Sequence, residues 1–192
     1  MAELSAPCRQ AAANVHHAIS VERRFPRNVF SGAWATFFFF DSDWMRVAQF
    51  VHDVKAFLEI EAGQCACVWK LDTENADEPR AFFIREHTTD NEYQVLLAGQ
   101  APGFGWLDAM ERLACASDTG EWCIYCEPNN EIAVIAFRHR EASSRYSQAL
   151  KRFRAVRIEE AAKESHSYGF SDSALSTQWR EEFMREYATG PS

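Results

Sequence analysis

Residues 121–138, EWCIYCEPNNEIAVIAFR, constrain the fold more than any other stretch. Two apolar runs flank Pro128, Asn129 and Asn130. In a strand, Trp122, Ile124 and Cys126 share one face, and Cys123 and Tyr125 share the other. Ile132, Val134 and Ala136 oppose Ala133, Ile135 and Phe137 in the same way. A strand that is apolar on both faces needs cover on both, so the pair is predicted to run through the middle of a sheet. The connection supports a chain reversal, because Pro favours position i+1 of a turn and Asn tolerates positive φ.

The same period-2 argument predicts strands over WATFFFF (34–40), CACVWKLD (65–72), RAFFIRE (80–86) and YQVLLAG (93–99), the last three forming a meander with polar turns TENADEP and TTDNE. Asp41 and Ser42 are good helix caps, and apolar residues at 44, 47, 48, 51, 54 and 58 mark one helical face that ends near Gly63. WLDAMERLACA (106–116) is expected to be a short helix. The pattern turns helical after residue 141, and Leu175, Trp179, Phe183 and Tyr187 recur every four residues, with Met184 beside them. Residues 1–30 form a weakly patterned N-terminal arm, with VERRFPRN a loop or an exposed arm. Residues 31–190 form a single domain whose C-terminal helices begin near 142. The expected class is α+β: a mostly antiparallel sheet of five or six strands packed by helices, with a helical C-terminal third.

The chain of 192 residues is 47% hydrophobic, with fifteen Phe and six Trp, which suits one globular domain able to bury a sizeable core. Its net charge of -8 disfavours a general nucleic-acid binder, whose phosphate contacts need a basic surface. No stretch reaches the eighteen apolar residues of a membrane span, and the N-terminus lacks the basic start and apolar centre of a signal peptide. A cytoplasmic location follows as an expectation, with the six cysteines reduced.

Cys123 and Cys126 have the spacing of a metal knuckle, but that motif needs a tight turn. Inside a strand, three-residue spacing sends the two thiols to opposite faces, where they share neither a metal nor a disulfide. Cys65 and Cys67 do share a face. The reading is small buried hydrophobes at the centre of a sheet, with no metal and no cofactor. Asp118-Thr119-Gly120 matches the aspartic-protease triplet by letter, but it lacks the apolar flanks and the second copy that make a dyad, and it is read as a turn. The six histidines form no metalloprotease or deaminase pattern, and no nucleophile elbow, phosphate loop or dinucleotide fingerprint is present. No catalytic residue is assigned.

Charge distribution says more. Residues 72–92 carry seven acids against Arg80 and Arg85, most of them in two turns expected at one end of the meander. Residues 138–157 carry seven bases (Arg138, Arg140, Arg145, Lys151, Arg152, Arg154, Arg157) against Glu141. Each segment is either a solvated face or a docking surface, the acidic one for a basic partner and the basic one for phosphate, RNA or the acidic face itself.

EWCIYCEPNNEIAVIAFR resembles a form common in bacterial immunity proteins of polymorphic toxin systems, including contact-dependent inhibition and type VI secretion. In those proteins a Trp-containing strand, a short polar turn and an Ile/Val/Ala strand make the sheet centre. The resemblance covers about eighteen residues and carries no chemical motif. It implies tight stoichiometric binding of a cognate protein toxin, basic in charge, often a nuclease or another nucleotide-targeting enzyme. Asp72, Glu74, Asp77, Glu78, Asp90 and Glu92 are the expected contact residues, with neither membrane nor nucleic acid as partner. Two alternatives stand beside it. One is an enzyme of unrecognised type, such as a hydrolase reversing a toxin's modification. The other is a regulatory or RNA-associated module using Arg138 to Arg157.

Overall fold

The computed structural model describes residues 4–72, 80–98, 111–161 and 176–188. Its elements, in chain order, are α1 (Ala6–Ala18), β1 (Thr36–Asp41), a 3₁₀ turn (Ser42–Arg46), α2 (Gln49–Glu61), β2 (Cys65–Lys70), β3 (Ala81–Arg85), α3 (Asp90–Ala98), β4 (Leu113–Ser117), β5 (Trp122–Glu127), a 3₁₀ turn (Pro128–Asn130), β6 (Ile132–Phe137), α4 (Ala142–Arg145), α5 (Ser147–Arg152), α6 (Ile158–Ala161) and α7 (Thr177–Tyr187). Six strands form one sheet in the order β1-β6-β5-β4-β2-β3, and every neighbouring pair is antiparallel.

β5 and β6 are central, as their two apolar faces require, and every residue of both strands is buried. Trp122, Ile124 and Cys126 face a core closed by α2, α3, α4 and α5. Cys123 and Tyr125 face a second core closed by α1, α6 and α7. The thiols of Cys123 and Cys126 therefore lie on opposite faces, while Cys65 and Cys67 share one. The result is three layers, helices on both faces of an antiparallel sheet.

Two expectations are corrected. The strand expected over 93–99 is helix where it is described: α3 runs from Asp90 to Ala98 and takes in most of the expected turn TTDNE, and Gly99 lies outside the described residues. Thr89 and Glu92 form a capping box. The Glu92 N–H donates to Thr89 Oγ1 at 3.2 Å, and the Thr89 N–H donates to Glu92 Oε2 at 2.7 Å. Tyr93, Leu96 and Leu97 then fall on one helical face against the core, which outweighs the β propensity of Tyr and Val. The strand expected there is supplied by β4, within a stretch expected to be helical, where Cys115 and Ala116 pair with Val68 and Cys67.

The described N-terminal segment, from residue 4, adds α1 to the cover of the sheet. Cys8, Ala11, Val15 and Ala18 form a buried stripe along α1, which lies over β2 and β4. The stripe is made of small side chains and carries little periodic hydrophobicity in sequence. Asn14 Nδ2 ties the helix to the sheet, donating to Ser117 O at 2.8 Å and to Asp118 O at 3.0 Å. At the other end of the chain α7 behaves as expected over its described part: Ser176 caps it, and Trp179, Phe183 and Tyr187 pack into the second core. Leu175 lies outside the described residues.

Candidate functional site

The acidic residues singled out in the sequence do not form one surface. β2 and β3 are antiparallel, with Cys65 opposite Arg85 and Trp69 opposite Ala81. The connection after β2 therefore leaves one end of the sheet, and the turn after β3 leaves the opposite end. Asp72 belongs to the first end. Asp90 and Glu92 belong to the second, about the length of a five-residue strand away, some 17 Å. Glu74, Asp77 and Glu78 lie outside the described residues.

Asp72 is part of an internal network. Arg112, 5% exposed, donates from Nε to Asp72 Oδ1 at 2.9 Å and from Nη2 to the same oxygen at 2.6 Å. The backbone N–H of Arg112 reaches Asp72 Oδ2 at 3.0 Å, and its Nη1 reaches Val21 O at 3.1 Å. Burial works to raise the Asp72 carboxyl, but these hydrogen bonds and the guanidinium charge prevail and hold it below its ordinary value. The network continues to Tyr125, whose hydroxyl donates to Glu127 Oε2 at 2.7 Å. The same oxygen accepts the Phe25 N–H at 3.2 Å. Its effect is to pin the 21–25 loop against the ends of β2, β4 and β5.

The other end is open. The turn 86–89 follows β3, and two clefts flank it, with Arg85 in the wall of both. One, of about 550 Å³, is lined by residues that include Lys55, Glu59, Gly63, Arg85, Glu86 and His87. The other, of about 490 Å³, is lined by Phe83, Arg85, Thr88, Glu92, Val95 and Leu96 among others. Two cations here have partners within the molecule: Lys55 Nζ donates to Thr88 O at 2.7 Å, and the exposed Arg85 donates from Nε to Cys8 Sγ at 3.2 Å. The carboxylates are presented outward. Glu59, Glu86 and Glu92 are exposed, and the half-buried Asp90 meets His52 Nε2 at 3.0 Å. The backbone and side-chain hydrogen bonds from Thr89 hold the Glu92 carboxyl below its ordinary value, so it is charged at neutral pH.

The groups that carry covalent or metal chemistry sit elsewhere. All six cysteines are free and buried, and burial pushes the Cys67 and Cys126 thiols up to about 12, far from a reactive thiolate. Among the described residues no group of three or more His, Cys, Asp or Glu side chains is arranged to hold a metal. Asp118-Thr119-Gly120 is the β4–β5 turn, and Asp118 Oδ1 accepts the Gln64 N–H at 3.1 Å. The basic segment is largely engaged within the molecule. The Arg138 guanidinium stacks 3.8 Å from the Trp34 ring centroid, and Arg157 lies 5.0 Å from that of Phe38. Arg145 Nη2 donates to Ile60 O at 2.8 Å, and Arg152 approaches Asp53 at 3.8 Å.

Two carboxylates, one buried and one half-buried, carried no signal in the sequence. Asp53 is fully buried and accepts from Trp44 Nε1 at 2.9 Å. Glu61 accepts from Thr119 Oγ1 at 2.7 Å and Trp122 Nε1 at 3.1 Å. Burial raises both carboxyls above their ordinary values, against these hydrogen bonds. Their spacing is that of ordinary helical polar residues, and only the partners brought by the fold distinguish them.

No family model, curated protein or solved structure matches this chain. Among the described residues no helix is long and apolar enough to cross a membrane.

Proposed function

We propose that the protein is an immunity protein that neutralises a basic bacterial toxin by one-to-one binding, through the end of the sheet where β3 meets α3. The observation that carries this reading is the charge arrangement there. Glu59, Glu86 and Glu92 stand exposed around two adjoining clefts, with Asp90 next to them in sequence, while Lys55 Nζ and Arg85 Nε have partners within the molecule. Such a surface suits a basic cleft that binds nucleic acid or nucleotide, occupying it and steering association. Val95, 60% exposed, and Leu96 supply apolar area next to the charges, as a binding hot spot requires. Of the six acids expected at the interface, Asp90 and Glu92 belong to this surface, and Asp72 serves the Arg112 network instead.

The alternative module built on Arg138 to Arg157 has less support, because four of its bases have intramolecular partners. The test is a pull-down of the tagged protein from its source cells, followed by titration of the captured protein's toxic activity. Complete neutralisation at one copy per toxin is the expected result. Protection at far less than one copy per toxin points to an enzyme that reverses the damage, and recovery of RNA alone points to the RNA-associated module.

A further inference from the structure

We infer that the outer edge of β3 is a strand-addition site for an extended, lysine- or arginine-bearing segment of the toxin, an assignment that rests on the immunity reading and sharpens it. The Lys70 N–H donates to Arg80 O at 2.7 Å, which sets the phase of the β2–β3 ladder. Residues 80, 82 and 84 turn their backbone groups to β2, and residues 81, 83 and 85 turn theirs outward.

Thr88 takes up part of that outer row. Its Oγ1 accepts the Arg85 N–H at 2.9 Å and donates to Phe83 O at 3.4 Å, and its own N–H donates to Arg85 O at 3.1 Å. The Phe83 N–H and both backbone groups of Ala81 have no outer partner among the described residues. The opposite edge of the sheet is occupied at Phe39 of β1, which exchanges both of its backbone hydrogen bonds with Val156 at 2.8 and 2.9 Å. The cleft of about 490 Å³ runs beside the open edge, with Phe83, Val95 and Leu96 as its apolar wall. An incoming strand would pair along residues 81–83 and lay alternate side chains into this groove.

Charge selects the occupant. Glu86 and Glu92 line the two clefts beside the edge, and Lys55 Nζ and Arg85 Nε are held by Thr88 O and Cys8 Sγ, so basic side chains laid beside these carboxylates are complementary. A second copy of this chain fits less well. Two chains of net charge -8 repel, and pairing two β3 edges about Phe83 would set Ala81 against an Arg85 whose backbone groups Thr88 already holds.

The experiment uses the full chain and three short synthetic peptides: alternating valine and lysine, the same peptide with glutamate for lysine, and the lysine peptide N-methylated along one edge. Binding is followed by titration and by NMR amide exchange at Ala81 and Phe83. The lysine peptide should bind and slow exchange at both amides. The N-methylated form should bind about tenfold more weakly, since each lost net hydrogen bond costs a modest fraction of the total. The glutamate peptide should not bind, and E86K and Val95→Ser should weaken the lysine peptide.

No binding overturns the assignment. So does equal binding of the N-methylated form, protection located elsewhere, or slowed exchange that rises with protein concentration alone, the last indicating a second copy. If the peptide docks at Ala81 and Phe83 but no toxin is neutralised, the immunity reading fails and the edge site stands. If toxin is neutralised with Phe83 exchange unchanged in the complex, the edge site fails and the immunity reading stands.

Discussion

Asp72 and Glu61 are carboxylates whose surroundings push them in opposite directions. Arg112 holds Asp72 below its ordinary value of 3.8, so its contribution to stability is full above that value and is lost as pH falls through the folded-state value. D72N should cost about 2 kcal/mol at neutral pH, because it leaves the Arg112 guanidinium largely buried without its counter-charge. Urea unfolding across the acid range should show a shallower fall for D72N than for the parent chain. Glu61 is raised above its ordinary value of 4.5 by burial, so its favourable contribution is present below that value and is lost as pH rises through the folded-state value. E61Q keeps an acceptor for Trp122 and removes the titration. Its stability relative to the parent should therefore improve as pH rises past that window, and unfolding midpoints at a series of pH values check this.

α3 and α7 are placed by different means. α3 is short and starts at a capping box, so Thr89→Ala should cost about 1 kcal/mol. Amide exchange in Asp90–Ala98 should then rise more than in the sheet. Thr89 and Glu92 have the spacing of that box in the sequence, but the Tyr-Gln-Val-Leu-Leu run that follows also fits a strand, and a short apolar run does not separate the two periods. α7 is held by aromatic packing. Phe183 stacks with Trp179 at 5.0 Å and meets the edge of Phe25 at 4.9 Å, in a core that α1 and β1 also build. Phe183→Ala should cost about 3–5 kcal/mol, measured by chemical denaturation. Its four-residue spacing with Trp179 and Tyr187 is plain in the chain, so this contact was foreseeable as an element, though its partners were not.

Over the whole molecule, charge is divided between structure and presentation. On the proposed immunity function, reversing Glu86 and Asp90 together should slow toxin association by about tenfold at low salt and flatten its salt dependence, with the fold intact. Stopped-flow association at several ionic strengths, with circular dichroism for the fold, tests this. Reversing Asp72 should instead lower stability, because its carboxylate answers Arg112 inside the molecule. The sequence presents these acids as one segment, and an antiparallel hairpin delivers them to opposite ends of a sheet.

The apolar-on-both-faces runs at 122–127 and 132–137 determined by themselves that a central antiparallel pair would be covered on each side, and that Cys123 and Cys126 would part to opposite cores. Side-chain period is a local property of the backbone, so it survives in the sequence. Three features were decided only by tertiary structure: the packing of α1 through its stripe of small residues, the burial of Glu61 and Asp53, and the separation of Asp72 from Asp90 and Glu92. These depend on which distant segments meet, and on the desolvation and partners that follow from meeting. No spacing along the chain records either.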